Sequence, residues 1–319
     1  MTTAAATPIP VRPSKSETDN NKNNNNNNNN SPAVPSPTLR LHIQDLHHPA
    51  ASAFLRLVPD LAAVLDTALA QIITHLYSPP SHSSNNAFTP SIPPTRSVTI
   101  ILRDFSGVAY TTGTDLDNDH KEIHFSLSYI RTATTTYPDP RKELVGVLTH
   151  ELVHCYQHTA PPPSSSFPSN TSPNENNDHL RPPGGLIEGI ADFVRLKAHL
   201  DPPHWKRPSS ATDRPDRWDA GYQHTAFFLA WLEDVRVGQA AIGRLNDRLF
   251  RVGYVGDDND NGNGKGNENE NDSSKRNNGF WKALFGVDIA DLWDEYGRYL
   301  DGGKTRVEEN WEEEIVNPE

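Results

Sequence analysis

The sequence predicts an α+β fold: a small sheet followed by a mainly helical second half. Ser97 to Arg103 is a β-branched, apolar run, and two further strand-like stretches follow it before residue 131. From Asp139 onward, apolar residues instead recur every three or four positions in one segment after another. The coarse order is thus one helix, a small sheet and then several helices, which is the pattern of an α+β fold.

The ordered part is expected to begin near Leu39. Leu61, Val64, Leu65, Ala68, Leu69, Ile72 and Leu76 then mark a helix from about Asp60 to Tyr77. After the Ser97–Arg103 strand, Gly107 to Thr112 and Glu122 to Ile130 read as two more. In the latter, Ile123, Phe125, Leu127 and Tyr129 form one alternating face. Asp139-Pro140 offers a capping carboxylate with proline at the first helical position, and Leu144, Val147, Leu148 and Leu152 carry that helix to about His158. Further helices are expected at 184–200, 222–235, 240–252 and 289–299, with Phe227, Phe228 and Trp231 in the core.

Composition sets the domain limits. Residues 1–37, with an unbroken asparagine run from Asn23 to Asn30, are read as a disordered arm. Residues 160–183 and 256–278 are read as low-complexity insertions, and 301–319 as an acidic tail. None of them holds enough apolar surface to offset the entropy of ordering. One catalytic-sized domain remains, 38–300. A net charge of −12 without a basic patch argues against nucleic-acid and anionic-membrane partners. No apolar run is long enough to cross a bilayer, and the protein is expected to act as a monomer. Cys155 is the single cysteine, which excludes an internal disulfide, and it reads as a buried structural thiol. The first residues lack the basic-then-apolar pattern of a secretory signal, so an intracellular location is favoured over secretion.

The chemistry concentrates at His150-Glu-Leu-Val-His154. On a helix the two histidines lie one turn apart on one face and can reach a single ion. Glu151, turned about 100° away, can sit beside the ion without ligating it. That arrangement suits Zn2+, with Glu151 as general base toward a zinc-activated water. A catalytic zinc needs a third protein ligand. The extended motif that would supply a histidine fails at Gln157 and Ala160, and His158 is too far along the axis. Glu188 is the better candidate, with Asp192 one turn later accepting the free N–H of a ligating histidine; Asp192 as the ligand itself is the alternative. This Glu-x-x-x-Asp placement resembles the gluzincin metallopeptidases, a zincin-like arrangement.

The resemblance extends further. The zinc motif with Gln157, the run Gly185-Leu-Ile-Glu-Gly-Ile-Ala-Asp-Phe-Val-Arg-Leu-Lys-Ala198, Trp218 to Leu229, and Gly107 to Gly113 together resemble the basic secretory protein family of plant zinc peptidases. The resemblance covers roughly 95–300 without the insertions, and the chain departs from the family's name in being acidic. It implies hydrolysis of peptide bonds in a peptide or protein substrate. Tyr222 falls where such enzymes can offer a donor to the developing oxyanion, with a core tyrosine as the plain alternative; His224 is a weaker candidate. Arg195 can pair with a site carboxylate, a surface pair being the default. The strand around Lys121–Ile130 is the candidate for aligning substrate backbone. The rival reading is a catalytically silent relative that binds metal or a partner, such as a defence or cell-wall-associated protein. Glu151 argues against it, because a binding module needs no base there.

Overall fold

A computed structural model describes residues 34–79, 90–162, 180–255 and 279–302. The asparagine-rich run, the 256–278 block, the centre of the 160–183 insertion and nearly all of the acidic tail lie outside these residues.

The architecture is α+β, with a four-stranded sheet in the order β1-β2-β4-β3. Strand β1 (Thr38–Ile43) leads through helices α1 (Pro49–Leu57) and α2 (Leu61–Leu76) into β2 (Ser97–Arg103), which pairs with it in parallel. A hairpin follows, β3 (Ala109–Thr114) and β4 (Asp117–Ser126). Strand β4 lies parallel to β2 and antiparallel to β3. Because the turn at Thr114–Asp117 folds β3 back on β4, β4 is bonded on both sides and β3 becomes the edge. The expectation that Lys121–Ile130 would be the substrate-aligning edge is therefore corrected: the free edge beside the cleft belongs to β3.

That strand also ends earlier than its alternation suggested. Ser126 caps a helix α3 (Leu127–Thr136), its hydroxyl accepting from the Tyr129 backbone N–H. Leu127, Ile130 and Ala133, at helical spacing, are the buried residues. Leu127 fits both periods, and the capping serine decides between them. Helix α4 (Pro140–Tyr156) starts at Asp139 as expected, the Asp139 carboxylate accepting from Lys142 N–H at 2.9 Å. It runs through the core and is buried nearly all round.

Helix α5 (Gly184–Lys197) packs across α4, and α6 (Tyr222–Trp231) across α5. The latter passes into a wider π turn at Leu232–Val237. Phe227, Phe228 and Trp231 are buried, as expected. Helices α7 (Ala241–Arg251), α8 (Phe280–Phe285) and α9 (Ile289–Leu300) complete the described chain. Among the described residues no single helix is long and apolar enough to cross a membrane.

Candidate metal centre

Two helical stripes face each other. On α4, Glu143, Val147, His150 and His154 succeed one another at three- and four-residue steps; on α5, Glu188, Asp192 and Arg195 do the same. His150 Nε2 lies 3.1 Å from His154 Nε2 and 3.1 Å from Glu188 Oε2, and His154 Nε2 is 3.6 Å from the same oxygen. An ion bound tetrahedrally about 2.0–2.1 Å from each ligand atom would set those atoms about 3.3 Å apart. His150, His154 and Glu188 can therefore hold a metal without rearrangement, as a His-His-Glu group.

Asp192 stands behind this group. Its Oδ1 is 2.7 Å from His150 Nδ1, and the carboxylate is buried. Burial works against charge on the His150 ring, but the carboxylates of Asp192 and Glu188 on its two nitrogens outweigh it and raise its pKa to about 10. On Glu188, burial pushes the other way, yet the two histidines hold its carboxyl far below the usual range. The pocket thus carries more negative than positive charge and is complementary to a cation.

Glu151 is buried and turned toward the sheet. Thr111, on the edge strand, brings its hydroxyl 2.7 Å from Glu151 Oε2 and 2.9 Å from the Glu151 carbonyl, so its single proton serves one of the two. Gln157, which ends α4, places its amide 3.1 Å from His154 Nδ1. For His154 to ligate through Nε2, Nδ1 must carry the proton and the amide must present its oxygen, an orientation chosen by the hydrogen-bond network. Thr111 and Gln157 fall in the stretches that carry the family resemblance, but the sequence assigned neither of them a role in the site.

Tyr222 lies near the His-His-Glu group and is not a core residue. It is 57% exposed, and its ring lies nearly parallel to that of His150, with centroids 6.1 Å apart. Its φ of 46° is unusual for a tyrosine and follows Gly221 at 89°. The close approach of α5 and α6 requires this turn: a Cβ on Gly189 would lie 2.3 Å from Thr225 Cγ2, and one on Gly185 only 1.8 Å from the Asp219 carbonyl. The charge of Glu188, followed by burial, raises the Tyr222 pKa, so its hydroxyl keeps its proton as a donor.

Other residues fall outside the group. His158 lies beyond the end of α4, its Nε2 2.7 Å from the Ser91 carbonyl and its ring against Phe250. His224 lies within α6 and is not among the ligand atoms. Cys155 is buried one turn after Glu151 and is not among the ligand atoms, and burial pushes its thiol well up. Arg195 corrects the surface-pair default. It is buried and pairs with Glu143 at 2.9 Å, while Tyr129 donates to the other Glu143 oxygen at 2.6 Å.

A cleft of about 1040 Å³ runs along the α4 stripe. Val108 and Ala109 to Thr111 of the edge strand line one side; Tyr129, Tyr137 and Trp205 stand beyond Val147, and Gln157 beyond His154. A family model described as peptidase of plants and bacteria matches residues 36–296, which extends the likeness back through β1, α1 and α2. No curated protein and no solved structure matches the chain. The match spans most of the chain, so the protein belongs to the basic secretory protein family, the peptidases of plants and bacteria.

Proposed function

We propose that the protein is a zinc-dependent peptidase of zincin-like fold. His150, His154 and Glu188 hold the metal, Glu151 acts as general base, and a peptide or protein is the substrate. The observation that carries this reading is the convergence of three ligand atoms at 3.1–3.6 Å beside a buried carboxylate that is not one of them. Two imidazoles and a carboxylate are a donor set suited to zinc, and three protein ligands leave a position open for water.

When bound, zinc supplies Lewis acidity and lowers the pKa of a bound water toward ~7. Glu151 accepts the proton of the attacking water and returns it to the leaving nitrogen. Thr111 keeps the Glu151 carboxylate in place through its hydroxyl. Asp192 and Gln157 fix the rings of His150 and His154 so that both present Nε2. Tyr222 donates to the oxygen that gains charge as the carbonyl is attacked. The edge of β3 aligns the substrate backbone, since among the described residues no strand pairs with its outer side.

The test is metal content together with cleavage. Purified protein is expected to carry about one zinc per chain and to cut an unfolded protein. Far less than one zinc would sink the metal centre. A full zinc complement without cleavage of any peptide would favour the silent, metal- or partner-binding relative. A finer prediction concerns Asp192. Asp192→Asn keeps shape but weakens the acceptor on His150 Nδ1, and zinc affinity is expected to fall about 10–100-fold in a chelator competition. Unchanged affinity would mean that Asp192 contributes packing alone.

A further inference from the structure

Beyond His154 the cleft continues to the end of α4, and there its chemistry changes. Lys121 of β4 lines it together with Asn118 and Gln157. The Lys121 side chain is half-buried, and its ammonium donates to Asn118 Oδ1 at 2.9 Å. Its pairing partner across the hairpin is Gly113. A Cβ there would lie 2.0 Å from Asn118 Oδ1, so the absence of a side chain at 113 makes room for the amide that positions the ammonium. Of the acids near it in sequence, Asp117 pairs with Arg96 and Glu122 meets His124 at 3.2 Å, while Asp119 lies 3.7 Å from Arg96 and acts on Lys121 only through space. Among the described residues no carboxylate lies within ion-pair distance of Lys121. In a chain of net charge −12, a half-buried cation that no carboxylate contacts leaves room for an acidic partner.

Gln157 supplies a second, independent observation. It is only 9% exposed, one atom of its amide serves His154, and the other amide atom is buried with no hydrogen-bond partner. With the amide oxygen on His154 Nδ1, the unpartnered atom is the –NH2, a donor. A buried donor without an acceptor and an ammonium that no carboxylate contacts thus line the same cleft, Lys121 being close enough to Cys155, two residues before Gln157, to feel its charge. Both suit an anionic, two-oxygen acceptor.

Resting on the peptidase reading, we infer that this end of the cleft is a subsite for a substrate carboxylate, with Lys121 and Gln157 as its donors. The carboxylate is either an Asp or Glu side chain on the His154 side of the scissile bond or the free carboxyl terminus of a short peptide.

The test uses the full-length, zinc-loaded protein and matched peptides carrying Glu or Gln at each position around the cut, plus neutral peptides with a free or amidated C-terminus. At one position, wild type is expected to favour the carboxylate by about tenfold in kcat/KM. Lys121→Met should bring that ratio close to one, Lys121→Glu should take it below one, and Lys121→Arg should keep it. Lys121 dependence in the Glu/Gln pairs identifies a side chain, and dependence in the free/amidated pairs identifies a terminus. Identical ratios in wild type and Lys121→Met across every pair would overturn the inference while leaving the peptidase standing. If nothing is cut, anisotropy of the same peptides on zinc-loaded Glu151→Gln decides. Tighter binding of the carboxylate peptides that vanishes with Lys121→Met keeps the subsite and drops the peptidase; no such difference drops both.

Discussion

Glu151→Gln is expected to lower kcat/KM for peptide cleavage by about 100-fold or more, with zinc content unchanged. At 1.36 kcal/mol per factor of ten, this is a loss of at least about 2.7 kcal/mol of transition-state stabilisation. The substitution isolates one property. The amide oxygen of glutamine can still accept from Thr111, which now meets Glu151 Oε2 at 2.7 Å, so the side chain should stay where it is. The ligand atoms belong to other residues, and the buried site loses only a proton acceptor. A variant that kept wild-type turnover would place the base elsewhere. Loss of turnover together with loss of zinc would mean that Glu151 supports the metal rather than the chemistry. Thr111→Val is the natural companion, since it leaves the base in place without the group that holds it.

Much of this site was legible in the sequence because helical spacing is a rigid rule. His150 and His154 had to share a face, Glu151 had to leave it, and Glu188 with Asp192 had to repeat that geometry on α5. Which of the two acids stands beside both imidazoles needed three dimensions. Glu188 Oε2 lies beside both Nε2 atoms, whereas Asp192 lies on His150 Nδ1. The helix start at Asp139 was legible because cap and proline stand side by side. The edge strand was not, because alternation reports which face of a strand is buried and is blind to which neighbour it pairs with. The end of β4 was missed for a related reason: Leu127 satisfies a period of two and a period of three, so a single serine decides. Thr111 and Gln157 are ordinary polar residues whose roles come from what the fold brings next to them. Helix α8 is too short to show a period, although Phe280 and Trp281 are fully buried.

Arg195→Met is expected to destabilise the fold by about 3–5 kcal/mol, the range for removing one partner of a buried ion pair. The reasoning starts from burial. Glu143 and Arg195 are 3% and 7% exposed and meet at 2.9 Å, so each neutralises a charge that water cannot reach. The arginine is committed on several sides: Nε donates to the Leu200 carbonyl at 3.0 Å, and the guanidinium lies 5.3 Å from the centre of the Trp205 ring. Room for it comes from Gly146, where a Cβ would stand 2.6 Å from Nε. Methionine fills much of the volume but leaves the Glu143 charge with only the Tyr129 hydroxyl. Adding Glu143→Gln removes that orphaned charge while keeping an acceptor for Tyr129, so the double variant should recover a large part of the loss. Urea unfolding of both variants measures the two terms. A single variant within about 1 kcal/mol of wild type, well below the buried-pair range, would show that the pair is hydrated in solution. The consequence for the site is direct. Glu143 and Arg195 tie α4 to α5 about 10 Å along the helix from His150, at 1.5 Å per residue. They therefore fix the register that lets Glu188 and Asp192 meet the histidines. A variant that folds but has lost this tie should bind zinc more weakly, although neither residue touches the metal group.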